Sequence, residues 1–143
     1  MIKKFALAAM FLLTVSAVAA VGQEMPKPEL RYVRSDEVTI SGGRFRVYTI
    51  EITNRSEISD EFFAVSPDLP PCGSNTNASR TWINIYIDGS KRIYGYCAIR
   101  SNAELSSLKF SVPADSPQPT EIFVDFVDRR EGRQVKSNKV SVE

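Results

Sequence analysis

The chain contains no histidine. That excludes Ser-His-Asp and Cys-His nucleophilic catalysis, and with it most zinc and copper sites. Cysteine is scarce: Cys72 and Cys97 are the only two in 143 residues, and they are not spaced as a Cys-x-x-Cys redox pair. Tryptophan occurs once, as Trp82. After residue 20 no apolar run reaches the roughly 20 residues that a membrane-spanning helix needs. No segment carries a sustained helical stripe, so the pattern does not describe a helical bundle. Neither sign of charge is in excess, with 18 basic residues against 17 acidic. A nearly neutral chain offers no bulk attraction to nucleic acid or anionic membranes. There is no Asp-x-Asp-x-Asp-Gly calcium loop, and no cofactor or metal is expected.

What is present begins with an export signal of bacterial type. Lys3 and Lys4 precede the uncharged run Phe5–Ala20, which ends in the small-x-small sites Ala17-Val18-Ala19 and Val18-Ala19-Ala20. Residues 1–20 are therefore expected to be a cleaved signal peptide, 21–28 a flexible leader and 29–143 a single domain. Cleavage leaves 16 basic residues against 17 acidic, a net charge of −1. No membrane span is expected afterwards, and the expected location is periplasmic or secreted. In an oxidising compartment Cys72 and Cys97 are expected to form a structural disulfide. Closing a loop of that length stabilises by roughly 3 kcal/mol in the chain-entropy view.

Beyond the leader the hydrophobic period is two. Strands are expected at Glu29–Arg34, Glu37–Ile40, Phe45–Thr53, Arg80–Ile87, Arg92–Ile99, Leu105–Val112, Thr120–Val127 and Gln134–Val142. Turn residues separate them at Ser41-Gly42-Gly43, Asp88-Gly89, Pro113–Pro119 and Glu131-Gly132. Val135 is out of phase with Val140 and Val142, which places a bulge or bend near Ser137-Asn138. Ile58–Val65 fits a short strand or a helical turn. Short strands at this spacing predict an all-β sandwich or barrel.

The C-terminal third carries Leu108-Lys-Phe110-Ser-Val112-Pro113, Ile122-Phe-Val124-Asp-Phe126-Val-Asp128 and Ser137-Asn138-Lys-Val140-Ser-Val142. It resembles the closing strands of a fibronectin type III-like or immunoglobulin-like β-sandwich, and that fold is what the resemblance implies. Trp82 lies later than the tryptophan of the usual fibronectin pattern, and the disulfide is additional. The Pro70–Cys97 block resembles a segment of uncharacterised exported bacterial proteins, a likeness that brings no activity with it.

Few constellations carry chemistry. Ser106-Ser107-Leu108-Lys109 matches Ser-x-x-Lys, but in a strand pattern the serine and lysine face opposite ways, and the partner motifs are missing. Asp125 with Asp128, and Asp60 with Glu61, read as solvated surface. Asn54-Arg55-Ser56 and Asn77-Ala78-Ser79 fit a glycosylation acceptor that matters only in a eukaryotic secretory pathway. Arg129, Arg130, Arg133 and Lys136 crowd one hairpin, and a solvated turn outweighs an anion-binding tip.

The aromatic cluster of the Arg80–Cys97 hairpin is the candidate ligand surface: Arg80, Trp82, Tyr86, Arg92, Tyr94 and Tyr96. Its fate depends on register, because a slip of one residue turns a strand over. A three-residue loop sets Ile83, Ile85 and Ile87 with Ile93 and Cys97, leaving the aromatics together on the opposite face. A two-residue Asp88-Gly89 turn puts Tyr94 and Tyr96 with the isoleucines instead. The expected function is a non-catalytic binding or interaction domain at the bacterial cell envelope, recognising an envelope protein or a glycan. The alternative is a structural or accessory subunit of a surface assembly that pairs through a strand edge. Catalysis is not expected.

Overall fold

The computed structural model describes residues 22–74 and 78–143, so the expected signal peptide lies outside the described residues. Among the described residues, eight strands form two antiparallel sheets. One has the order β1 (Leu30–Ile40), β2 (Gly43–Ile52), β5 (Leu108–Pro113). The other has the order β4 (Lys91–Tyr96), β3 (Thr81–Ile87), β6 (Glu121–Asp128), β7 (Arg133–Lys136), with β8 (Val140–Ser141) also on β6. The chain is an all-β sandwich. Among the described residues, helical content is confined to short 3-10 turns at Arg55–Glu57, Asp60–Phe63 and Asn102–Ser106.

Alternation builds the layers. β3 buries Ile83, Ile85 and Ile87, while β6 buries Ile122, Val124 and Phe126 on the same side. The facing sheet answers with Tyr48, Ile50 and Ile52 of β2 and Leu108, Phe110 and Val112 of β5. Tyr48 stacks on Phe110 at 5.1 Å, and Phe63 meets Phe126 edge-on at 6.3 Å. Met25, before the first strand, is also buried in this core.

The two strands expected over 29–40 are one. β1 runs through, with a register shift between Tyr32 and Arg34 that leaves Val33 as the extra residue. That slip absorbs the phase change that reads as a gap in the sequence. Ser41 and Gly42, at φ of 48° and 81°, form the tight turn into β2. Two successive positive φ values match the strand twist of a type I′ hairpin. Leu105, expected in a strand, is instead buried from the 3-10 turn Asn102–Ser106. The C-terminal run breaks at Ser137-Asn138, where its phase changes. There Ser137 bonds to Val124 through both backbone (2.9 Å) and hydroxyl (3.0 Å).

The sandwich is laced along both open sides. Asn138 accepts from the Leu30 amide at 2.7 Å and donates to the Leu30 carbonyl at 3.0 Å, so its carboxamide stands in for a neighbouring strand at the edge of β1. On the other side, the Tyr96 hydroxyl donates to the Lys109 carbonyl at 2.6 Å and accepts from its amide at 2.7 Å. Tyr96 thereby joins edge strand β4 to edge strand β5.

Candidate functional site

The β3–β4 hairpin combines features of both registers. Ile87 pairs with Lys91 across Asp88-Gly89-Ser90, a three-residue connection. A bulge follows: Tyr86 pairs with Arg92 but Ile85 with Tyr94, so Ile93 is the extra residue. Beyond the bulge Tyr94 and Tyr96 lie opposite Ile85 and Ile83, on the core side. Trp82 and Tyr86 keep the outer face. The aromatics are therefore split between two faces rather than gathered on one. Asp88, at φ 48°, anchors the connection by accepting from the amide and hydroxyl of Thr120 at 2.8 and 2.9 Å. Those bonds hold its carboxyl below the usual value.

Arg80 is committed to structure. It makes a two-pronged pair with Asp128, at 3.0 and 2.6 Å, and stands over the Phe62 ring. Asp128 also accepts from the amides of Arg130 and Glu131. Burial alone would raise the Asp128 pKa, but the bonds from Arg80 and the two amides outweigh it and the pKa falls. The reading of Asp125 and Asp128 as solvated surface is thus corrected, since each is only 3% exposed. Asp128 closes the hairpin turn. Asp125 is covered at the centre of the outer face, between Asn84 and Lys136 on the neighbouring strands, and burial raises its pKa. Asp60 receives the Asn102 amide at 2.7 Å, and Glu61 is exposed.

The outer face holds three of the remaining candidates. The Arg129 guanidinium lies 4.1 Å from the centroid of the half-buried Trp82 ring and donates to the Pro70 carbonyl. Pro70 leads into Cys72, which is bonded to Cys97 with Cα atoms 6.1 Å apart. The disulfide therefore pins the segment that Arg129 holds over Trp82. Tyr86 stacks on Phe123 at 4.9 Å and 4°. Arg92 donates to Asn84 Oδ1 at 2.8 Å, its guanidinium lying where a Cβ on Gly95 would stand.

Tyr94 is 48% exposed and meets Tyr96 edge-on at 5.0 Å. Beside them opens a groove of about 480 Å³ between β4 and the start of β5, lined by Tyr94, Tyr96, Ile99, Glu104, Ser107 and Leu108. Burial raises the pKa of Tyr96. One wall is the turn Asn102–Ser106, where Glu104 Oε1 accepts from the amides of Arg100 (2.6 Å) and Ser101 (3.2 Å). The sequence holds a signal for that turn, since Ser101-x-x-Glu104 is a capping-box spacing.

The other flagged residues do not converge. Ser106 ends the 3-10 turn and Lys109 lies exposed on β5. Arg130 pairs with Asp68 at 3.3 Å, Arg133 with Glu131 at 3.7 Å, and Lys136 approaches the Phe123 ring at 5.9 Å. The basic hairpin is thus divided among separate partners. The Asn54 carboxamide donates to the Lys27 carbonyl at 3.0 Å, whereas Asn77 lies outside the described residues. Among the described residues no cluster of three or more His, Cys, Asp or Glu side chains could hold a metal. Comparison of the chain with protein-family models, curated proteins and solved structures finds no match.

Proposed function

We propose that this chain is an exported, non-catalytic recognition domain of fibronectin type III-like or immunoglobulin-like architecture, working at the bacterial cell envelope in the periplasm or outside it. Two antiparallel sheets, ordered 1-2-5 and 4-3-6-7, are compatible with such a sandwich and support the reading. The disulfide fits an oxidising compartment. Among the described residues no helix is long and apolar enough to cross a membrane.

One observation carries the reading. Tyr94 is left 48% exposed at the mouth of a groove of about 480 Å³ between two edge strands. A large aromatic displayed beside a concave surface is a feature of contact sites. The strongly held carboxylates Asp88 and Asp128 serve the fold, through Thr120 and Arg80. An envelope polypeptide or a glycan is the ligand class.

The test is an amide-shift titration of the mature domain with peptide and oligosaccharide panels, repeated on Tyr94→Ser. Shifts gathered around Tyr94–Ala98 and lost in the variant support the reading. Shifts confined to other surfaces count against it. Cell fractionation checks the compartment: recovery in the cytoplasm with free thiols contradicts export.

A second reading, an accessory subunit pairing through a strand edge, draws on β1. Asn138 covers only its Leu30 end, while Val33 and Ile40 are 45% and 54% exposed. A strict monomer at high concentration in sedimentation argues against pairing between copies.

A further inference from the structure

We infer that the groove beside β4 receives an extended acidic polypeptide segment, added as a strand along the free edge of β4. This rests on the recognition-domain reading and names the partner class for that same site.

The first support is backbone geometry. Among the described residues, β4 has β3 on one side and no strand on the other. Across the gap, β5 has its edge at Lys109 taken by the Tyr96 hydroxyl, which satisfies both the amide and the carbonyl. The seam is thus bridged at one point and open beside it. The wall from Gly95 to Ala98 is strand and strand-end backbone, with exposed Tyr94 and half-buried Tyr96 supplying apolar surface and Ser106 and Ser107 polar groups. An added strand needs such a backbone edge for its main chain and a hollow for alternate side chains. A glycan would favour the open flat of an aromatic ring, whereas Tyr94 is set edge-on to Tyr96 at 70°.

The second support is charge. β4 and β5 carry Lys91, Arg92 and Lys109 and no carboxylate. None of those cations forms an ion pair among the described residues. Arg92 bonds to neutral Asn84, and the nearby Asp88 is held by Thr120. The carboxylate lining the groove, Glu104, is turned to the amides of Arg100 and Ser101. The opposite edge differs. On β1, Arg31 pairs with Glu51, Arg34 with Asp36 at 3.0 Å and Glu37 with Arg46 at 3.0 Å, so its charges are already matched. The unmatched charge lies beside β4 and favours an acidic segment.

The experiment uses the mature, oxidised domain and synthetic peptides. One decapeptide alternates Val and Thr with Glu; a second replaces Glu by Lys; a third is the acidic peptide N-methylated at alternate residues. Glucose and galacturonic acid hexasaccharides complete the probes. The acidic peptide is expected to shift the amides of Tyr94–Ala98 and Ser106–Leu108. The Lys peptide is expected to bind about tenfold more weakly or worse, and the N-methylated peptide not to bind. Lys91→Glu with Arg92→Glu should invert the charge preference. Lys109→Glu, on another strand, gives the same reading if that pair does not fold. Charge-blind binding, shifts on β1, or no binding of the acidic peptide up to millimolar concentration overturns the inference. If a hexasaccharide alone shifts the same amides in a Tyr94-dependent way, the polypeptide inference fails while the recognition reading stands. If no probe engages the groove, both fail.

Discussion

Arg129 covers Trp82: its guanidinium carbon lies 4.1 Å from the ring centroid, and the same group reaches the Pro70 carbonyl. The indole Nε1 is buried without a partner among the described residues. The single tryptophan therefore reports on the closed state of the Pro70–Cys72 segment. Native emission should be blue-shifted relative to the free indole. Arg129→Ala should move it to the red and raise acrylamide quenching by about twofold, while costing about 1 kcal/mol in urea unfolding, the scale of a partly desolvated cation–π contact. Unchanged quenching in the variant would show that Arg129 does not shield the ring.

The Cys72–Cys97 bond acts on the same segment from its other side. Replacing both cysteines by serine should destabilise the domain by roughly 3 kcal/mol. For a domain of this size that corresponds to a fall of about 10 °C in Tm. Thermal denaturation followed by circular dichroism measures it. The double variant should also show greater acrylamide access to Trp82, because the segment loses its tether to β4 while keeping the Arg129 contact. A drop in Tm without a change in quenching would separate the staple from the cover.

Asp125 and Asp128, three positions apart on β6, should respond oppositely to pH and to substitution. The Asp128 pKa lies below the ordinary 3.8, so its stabilising contribution is complete above the unfolded value and is lost as pH falls through the folded one. The Asp125 pKa lies above 3.8, so the folded state holds that proton more tightly. Its contribution is complete below the unfolded value and is lost as pH rises through the folded one. At pH 7, Asp128→Asn should destabilise by about 2 kcal/mol, the cost of losing hydrogen bonds to a charged group. Asp125→Asn should be neutral or stabilising by up to about 1 kcal/mol, since it removes a desolvated charge that has no bonded partner at Oδ1. Urea unfolding of both variants between pH 3 and 7 tests the pair.

Period-two patterning made the sandwich legible, because β3, β5 and β6 alternate in Ile, Phe and Val. The phase change at Ser137-Asn138 was legible too, and it is where the C-terminal run breaks. The site was legible only in part. Composition located the Pro70–Cys97 block, but the split of its aromatics depends on one bulged residue, Ile93, which no local propensity marks. A three-residue connection alone would have put Trp82, Tyr86, Tyr94 and Tyr96 on one face. The roles of Arg80 and Asp128 were hidden for a different reason. They meet across 48 residues of sequence, and a charged pair buried by tertiary packing has the same local signature as two solvated residues. Asn138 and Leu30 are a further case, with a bond that exists only once the first and last strands have come together.

Tyr96→Phe gives a direct test of the seam between the sheets. The substitution keeps the ring, so packing against the core and the edge contact with Tyr94 should survive. It removes one hydroxyl that both donates to and accepts from Lys109. Lys109 lies at an exposed edge, where water can replace part of the loss, so the cost should be about 1 kcal/mol rather than that of an orphaned buried group. The clearer signature is local. Amide exchange at Lys109 should accelerate far more than at Tyr48 or Phe110, which pair with each other between β2 and β5. Uniform acceleration across β5 would mean that Tyr96 holds the whole strand in place. Acceleration limited to Lys109 would mean that the hydroxyl serves one edge position and that the groove beside it is shaped by the ring alone.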